Sequence, residues 1–246
     1  MSYPPGIVDF RVRESRLAMV IAGADIEEPS WTPADIPGLV LGLDNQLVTV
    51  SGGLVTAWPD LWGPGNHFTQ ASPSIQPTYV ASDTDFPTAQ PSVNFADAVG
   101  PWLAASAGVP AGIQWVGVVA TYPAATFASY SNLLTNSVST TAQVAFRGEN
   151  TTADWRVAGD DIPGTRYRDG TATNTALTMA GASHLYELVS TSPYTPANSL
   201  VLGSDPSIPD RRWRGSVCLV LAATAVPDAP TRAALLAYCQ GRGMIP

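Results

Sequence analysis

The chain opens on an alternation in which Val8, Phe10 and Val12 are separated by Asp9, Arg11 and Arg13. A period of about two over such a window predicts a strand with one buried face. Glu14-Ser15 can turn the chain, and the apolar run that follows, with Leu17, Met19 and Ile21, can return as a second strand. Glu27-Glu28-Pro29-Ser30 then interrupts the pattern with charge and proline. Residues 1–28 are too few to bury a core of their own. They read as an N-terminal arm, followed by one domain over residues 29–246.

Within the domain, strands are expected at Leu39–Asp44, Val48–Val50 and Leu54–Trp58, with Ser51-Gly52-Gly53 as the turn between the last two. Residues 59–91 are rich in Gly, Pro, Ser and Asn. Proline cannot donate to a strand ladder, so little central strand is expected there. Ile113 to Tyr122 is almost continuous in apolar residues, which predicts a strand buried on both faces. Leu133-Leu134, Gln143–Arg147, Asp154–Val157, Thr165–Arg168, Ser183–Val189, Ser199–Leu202 and Trp213–Ala223 continue the series. Asp169-Gly170 is the dipeptide of a two-residue hairpin turn whose central residues both need positive φ. One helix is expected near the C-terminus: Asp228 caps it, Pro230 fits its first turn, Ala234, Leu235, Tyr238 and Cys239 form its apolar stripe, and Gly241 supplies the left-handed stop. Short strands punctuated by turns define an all-β sandwich or barrel.

Composition narrows the function classes. Charged residues are 13% and apolar residues 45% of the 246, which excludes a wholly disordered chain. The net charge is −8, from 20 acidic residues and 12 arginines with no lysine. Affinity for nucleic acid comes largely from neutralising phosphates with basic side chains, so no nucleic-acid partner is expected. No apolar run reaches the ~18–20 residues of a bilayer span, so no membrane partner is expected either. Arg11 to Ala24 imitates a leader peptide, but Asp9 and Glu14 among the arginines and the short apolar core argue against one. Two cysteines, Cys218 and Cys239, make no disulfide framework. Both sit in apolar settings and read as buried thiols, with a single strand-to-helix bridge left open.

Several motifs in order resemble a known family. Trp31-Thr32-Pro33, Pro37-Gly38-Leu39 and Leu43-Asp44 are followed by Gly52-Gly53-Leu54-Val55-Thr56, Trp58, Asp60-Leu61 and Gly65-Asn66-His67. Thr69-Gln70-Ala71, Pro77-Thr78-Tyr79 and Val93-Asn94-Phe95 come next, and Leu200–Gly203, Arg214–Val217 and Thr231–Gly243 close the series. This order is similar to concanavalin A-like, laminin-G-like domains of tailed-phage structural proteins, with Gly42 where that pattern usually carries tryptophan. The resemblance covers residues 31–246. It implies a concanavalin A-like jelly-roll β-sandwich with one short C-terminal helix. It also implies a virion location, with other virion proteins and copies of the same chain as partners.

Candidate chemistry is sparse. A glycosidase needs two acids ~5–10 Å apart flanking one bond, and no strand carries such a pair. Asp160-Asp161 and Asp83-x-Asp85 fall in expected loops, and Glu187 stands alone. His67 and His184 are the only histidines; the first falls in the Gly-Asn-His loop and the second opens a strand, so neither reads as the centre of a catalytic triad. The expectation is therefore a chain without catalysis. No cofactor is expected, with calcium at a loop rim through Asp60, Asn66 and Asp97 as the open alternative, since calcium collects about six to eight oxygens. Trp58 and Trp115 read as core. Trp62 and Trp102, near Pro and Gly in loops, are the candidates for stacking on a sugar of a host glycan, with packing as the competing reading. The arm, through Val8, Phe10, Val12, Leu17, Met19 and Ile21, is expected either to anchor a partner subunit or to add edge strands to its own sandwich.

Overall fold

A computed structural model of the chain describes residues 31–95, 100–105, 111–122, 131–135, 144–148, 162–173, 182–196, 199–204 and 211–246. The six arm residues lie outside this set, as do Asp97, Trp155, Asp160-Asp161 and the expected strand at Asp154–Val157.

Among the described residues there are fifteen strands and one α-helix. The strands are β1 (Leu39–Asp44), β2 (Thr49–Ser51), β3 (Leu54–Trp58), β4 (Phe68–Thr69), β5 (Thr78–Asp83), β6 (Gln90–Asn94), β7 (Leu103–Ala105), β8 (Ile113–Ala120), β9 (Ser131–Thr135) and β10 (Val144–Gly148). They continue with β11 (Gly164–Arg168), β12 (Thr171–Ala172), β13 (His184–Tyr194), β14 (Val201–Leu202) and β15 (Ser216–Ala223), and the helix is α1 (Ala229–Gly241). Pairing runs β10-β9-β14-β7-β4-β3-β5-β6-β15-β8-β13-β11-β12, with β1 on β15 and β2 on β3. The named strands pair antiparallel throughout, and the chain is an all-β sandwich with a single C-terminal helix. The run folds back on itself where β6 meets only the start of β15, at Asn94↔Ser216 and Val93↔Val217. One half then faces the other: Leu41, Val116, Val118, Tyr186, Leu188 and Val220 pack against Val55, Trp58, Phe68, Leu103, Leu134 and Leu202 in one core.

A second apolar cluster lies on the outer face of the β15-β8-β13 half. It joins Trp115, Val119, Leu185, Leu219 and Leu221 to Leu235, Cys239, Met244 and Ile245. This is why β8 is apolar at almost every position: Val116, Val118 and Ala120 face the core, while Trp115 and Val119 face the helix. β15 adds a bulge. Its register to β8 shifts between Val217 and Leu219, so the inward side chains change from Val217 to Val220 and Ala222. One extra residue in a strand moves everything beyond it to the opposite face.

The turns follow the expected chemistry. Asp169 (φ 50°) and Gly170 (φ 78°) connect β11 to β12, and Gly52 (φ 59°) and Gly53 (φ 82°) connect β2 to β3. Two expectations are corrected. The stretch 59–91 supplies β4 and the six-residue β5, which lies between β3 and β6. Its prolines stand at 59, 64, 73, 77, 87 and 91, and none falls inside residues 78–83. The helix stop is Gly243 (φ 64°), two residues beyond Gly241. Met244 N–H donates to Cys239 O and Gly243 N–H to Gln240 O, both at 2.9 Å. That is the paired-bond ending that satisfies the last carbonyls of a helix.

Candidate functional site

Asp60 organises the loop that carries Trp62. Its Oδ1 accepts from Gly42 N and Gly63 N, each at 2.8 Å, and its Oδ2 from Gly65 N at 3.0 Å and Asn66 N at 2.9 Å. Asp60 N–H donates to His67 Nδ1 at 2.9 Å, and Asn66 Nδ2 donates to Val40 O at 3.0 Å. Four backbone amides converge on one carboxylate, so Asp60 acts as a loop clasp. Asn66 turns its donor inward to β1. Both Asp60 oxygens are thus engaged by backbone amides. Among the described residues, no three His, Cys, Asp or Glu side chains gather as metal ligands.

The clasp seats Trp62 against β1. A Cβ built on Gly42 would lie 2.6 Å from Trp62 Cε3, so only glycine at 42 leaves room for this ring. Trp62, from the loop after β3, occupies the space that a side chain at position 42 would need. Trp62 is half-buried and packs with the outer cluster beneath the helix. Trp102, also half-buried, stands on the other half of the sandwich before β7. Its backbone N–H donates to Ile75 O at 3.2 Å, and its backbone carbonyl accepts from Gln70 Nε2 at 3.3 Å. The fold therefore does not bring the two candidate tryptophans to one surface. Trp58 and Trp115 are fully buried, as expected.

The remaining candidate acids are engaged in joining elements. Glu187, buried on the outer face of β13, accepts from Arg232 Nε at 2.7 Å and Nη2 at 2.9 Å, and from Trp115 Nε1 at 3.1 Å. The Arg232 guanidinium lies 3.7 Å from the centre of the Tyr167 ring. Asp83 closes β5 and is buried, a correction to its expected place in a loop. It accepts from Ser92 Oγ at 2.6 Å and from Ser216 Oγ, joining β5, β6 and β15. His184 Nδ1 lies 2.6 Å from Asp169 Oδ2 at the hairpin turn, and the same carboxylate accepts from Leu185 N at 2.9 Å.

Three anchors carried no sequence signal of their role. Arg242 bridges Asp44 and Asn45 to Tyr238, binding the end of α1 to β1. Arg232 pairs with Glu187 across 45 residues of chain. Arg166 is buried and donates to Ala145 O at 3.0 Å and Ile162 O at 3.3 Å. Apart from Tyr238, one helical turn from Arg242, each partner is distant in sequence or is a backbone carbonyl, and neither leaves a motif.

Cys218 and Cys239 are both free and buried in the outer cluster. Burial pushes both thiols up from their ordinary pKa. A thiol held protonated is neither a nucleophile nor a metal ligand. Burial likewise raises the phenols of Tyr122, Tyr186 and Tyr194.

No protein-family model and no curated protein matches this chain. Solved structures do. Trypanosoma rangeli sialidase in complex with the inhibitor DANA is 13% identical over 80% of this chain, with a TM-score of 0.47. The same sialidase without a named ligand gives 14% identity, 83% coverage and a TM-score of 0.46. Its complex with sialic acid gives 13%, 83% and 0.48. This chain spans about a third of the sialidase's length, 32–33%. The expectation of a chain without catalysis is corrected by this finding, since the matched structures are enzymes. At these scores the likeness assigns no reaction, substrate or residue to this chain.

Proposed function

We propose that this protein is a structural component of a phage particle that displays the sandwich at a head, fibre or tail-associated position. It works by contact with other virion subunits and with copies of itself, not with nucleic acid or membrane. The ordered motifs from Trp31 to Gly243 support the virion setting. The observation that carries a scaffold role is the use of the buried acids: Asp44, Asp60, Asp83 and Glu187 each join separate parts of the sandwich. Side chains fixed this way build a rigid display module. The test is to label the protein with a specific antibody fragment on intact particles and image them. Periodic labelling at one particle location is expected; protein found only in the soluble fraction of the lysate overturns the proposal.

A second reading rests on Trp102, which is half-buried and belongs to neither described apolar cluster. An exposed indole is the group that stacks on a sugar ring, so the module can double as an adhesin for host surface glycans. A glycan array run with Trp102→Ala and Trp62→Ala controls separates the two. Binding abolished by Trp102→Ala supports the adhesin, and no binding on the array rejects it.

A further inference from the structure

Four buried polar atoms in one corner of the sandwich make no hydrogen bond: Asn132 Nδ2 and Oδ1, Ser204 Oγ and Trp213 Nε1. Their residues are 0%, 1% and 0% exposed. Backbone bonds draw the three segments together. Gly203 N–H donates to Leu133 O at 2.8 Å, Trp213 N–H to Gly203 O at 2.7 Å and Asn132 N–H to Arg211 O at 3.2 Å. Strand β9, the chain leaving β14 and the approach to β15 therefore meet at one junction, and each of the three side chains stands at it or one residue away. Trp213 packs on Tyr122 at 4.4 Å between ring centres, and Ser131 Oγ donates to Arg212 O beside it.

The set contains donors and acceptors that find no partner in the protein. An indole N–H can only donate, a primary amide carries two donor hydrogens and one acceptor oxygen, and a hydroxyl does either. A planar amide cannot satisfy its own Nδ2 with its own Oδ1. Native proteins rarely leave such groups unpaired, and internal water, making about three hydrogen bonds, is the usual resolution. Water accepts from a donor-only group and donates to an amide oxygen at once.

We propose that this junction is an internal water-binding site in which ordered water accepts from Trp213 Nε1 and donates to Asn132 Oδ1, with the Ser204 hydroxyl completing its shell. The bound water links β9 to the segments before β15 where direct side-chain bonds do not.

The test is a crystal structure of the full chain at a resolution that shows ordered water. The expected result is a water peak at about 2.7–3.1 Å from Asn132 and from Ser204 Oγ or Trp213 Nε1. Absence of a peak, a peak touching only one of the three, or density for a larger solute each overturns the site. Oxygen-17 relaxation dispersion in solution gives an independent readout. Asn132→Leu should lose at least one long-lived water and lower the melting temperature. An unchanged water count overturns the proposal, because a dry site would gain from an apolar replacement. If Asn132→Leu does not fold, Ser204→Ala serves in the same measurement, with the same outcome expected.

Discussion

Asp60 shows how a single residue can look like a ligand and act as a clasp. In sequence it is an acid in a Gly- and Asn-rich loop, which is also the description of a calcium site. In the fold both its oxygens face backbone amides of Gly42, Gly63, Gly65 and Asn66. Asp60→Ala removes every one of these acceptors and leaves buried donors to find water. The expected cost is about 2–4 kcal/mol of stability, from the penalty of unpaired buried donors, measured by urea unfolding. The same variant should release Trp62 from Gly42 and shift tryptophan fluorescence to the red. A loss under about 0.5 kcal/mol would mean the carboxylate is not what holds the loop. Glycine at 42 makes a related point. It departs from the motif, and that departure becomes intelligible only once Trp62 is seen filling the space.

At the scale of the element, α1 shows which signals are local. Asp228 Oδ1 accepts from Thr231 N at 2.9 Å, the expected cap. Hydrogen bonding of the charged form to the Thr231 side chain, and then to its backbone N–H, lowers the Asp228 pKa below the ordinary carboxylate value. A depressed folded-state value means the cap's contribution is fully present above the unfolded pKa of about 3.9 and is lost as pH falls through the folded value. Asp228→Ala should therefore lower the melting temperature at pH 7 and give a difference that shrinks toward zero in acid, as pH falls below the ordinary carboxylate range. A difference that persists unchanged at low pH would show that the cap acts otherwise. The stop was displaced for a non-local reason. Arg242, held by Asp44 and Asn45 of the β1 end, keeps helical dihedrals at φ −88°, ψ 0°, so the chain turns only at Gly243.

At the scale of the whole molecule, the proposed virion role extends to the arm. We propose that residues 1–28 anchor the domain to a partner subunit, Val8, Phe10 and Val12 supplying one apolar strand face and Leu17, Met19 and Ile21 another. An alternating strand can add to an exposed sheet edge of another chain. A chain beginning at Ser30 should then fold with nearly unchanged melting temperature but fail to join particles or oligomers. Loss of several degrees with assembly intact would assign the arm to its own sandwich. The sequence by itself determined what short-range physics controls: the strands at Leu39–Asp44 and Leu54–Trp58, the double-sided burial of Ile113 to Ala120, the turns at Gly52-Gly53 and Asp169-Gly170, the Asp228 cap and the all-β class. Each depends on backbone sterics or on periodicity within a few residues. The tertiary structure alone decided the strand at Thr78–Asp83, the reversal of facing in β15, the separation of Trp62 from Trp102, and the roles of Glu187, Asp83 and Asp44. These depend on partners 9 to 198 residues away, because a buried charge is defined by what folding places against it and not by its neighbours in the chain.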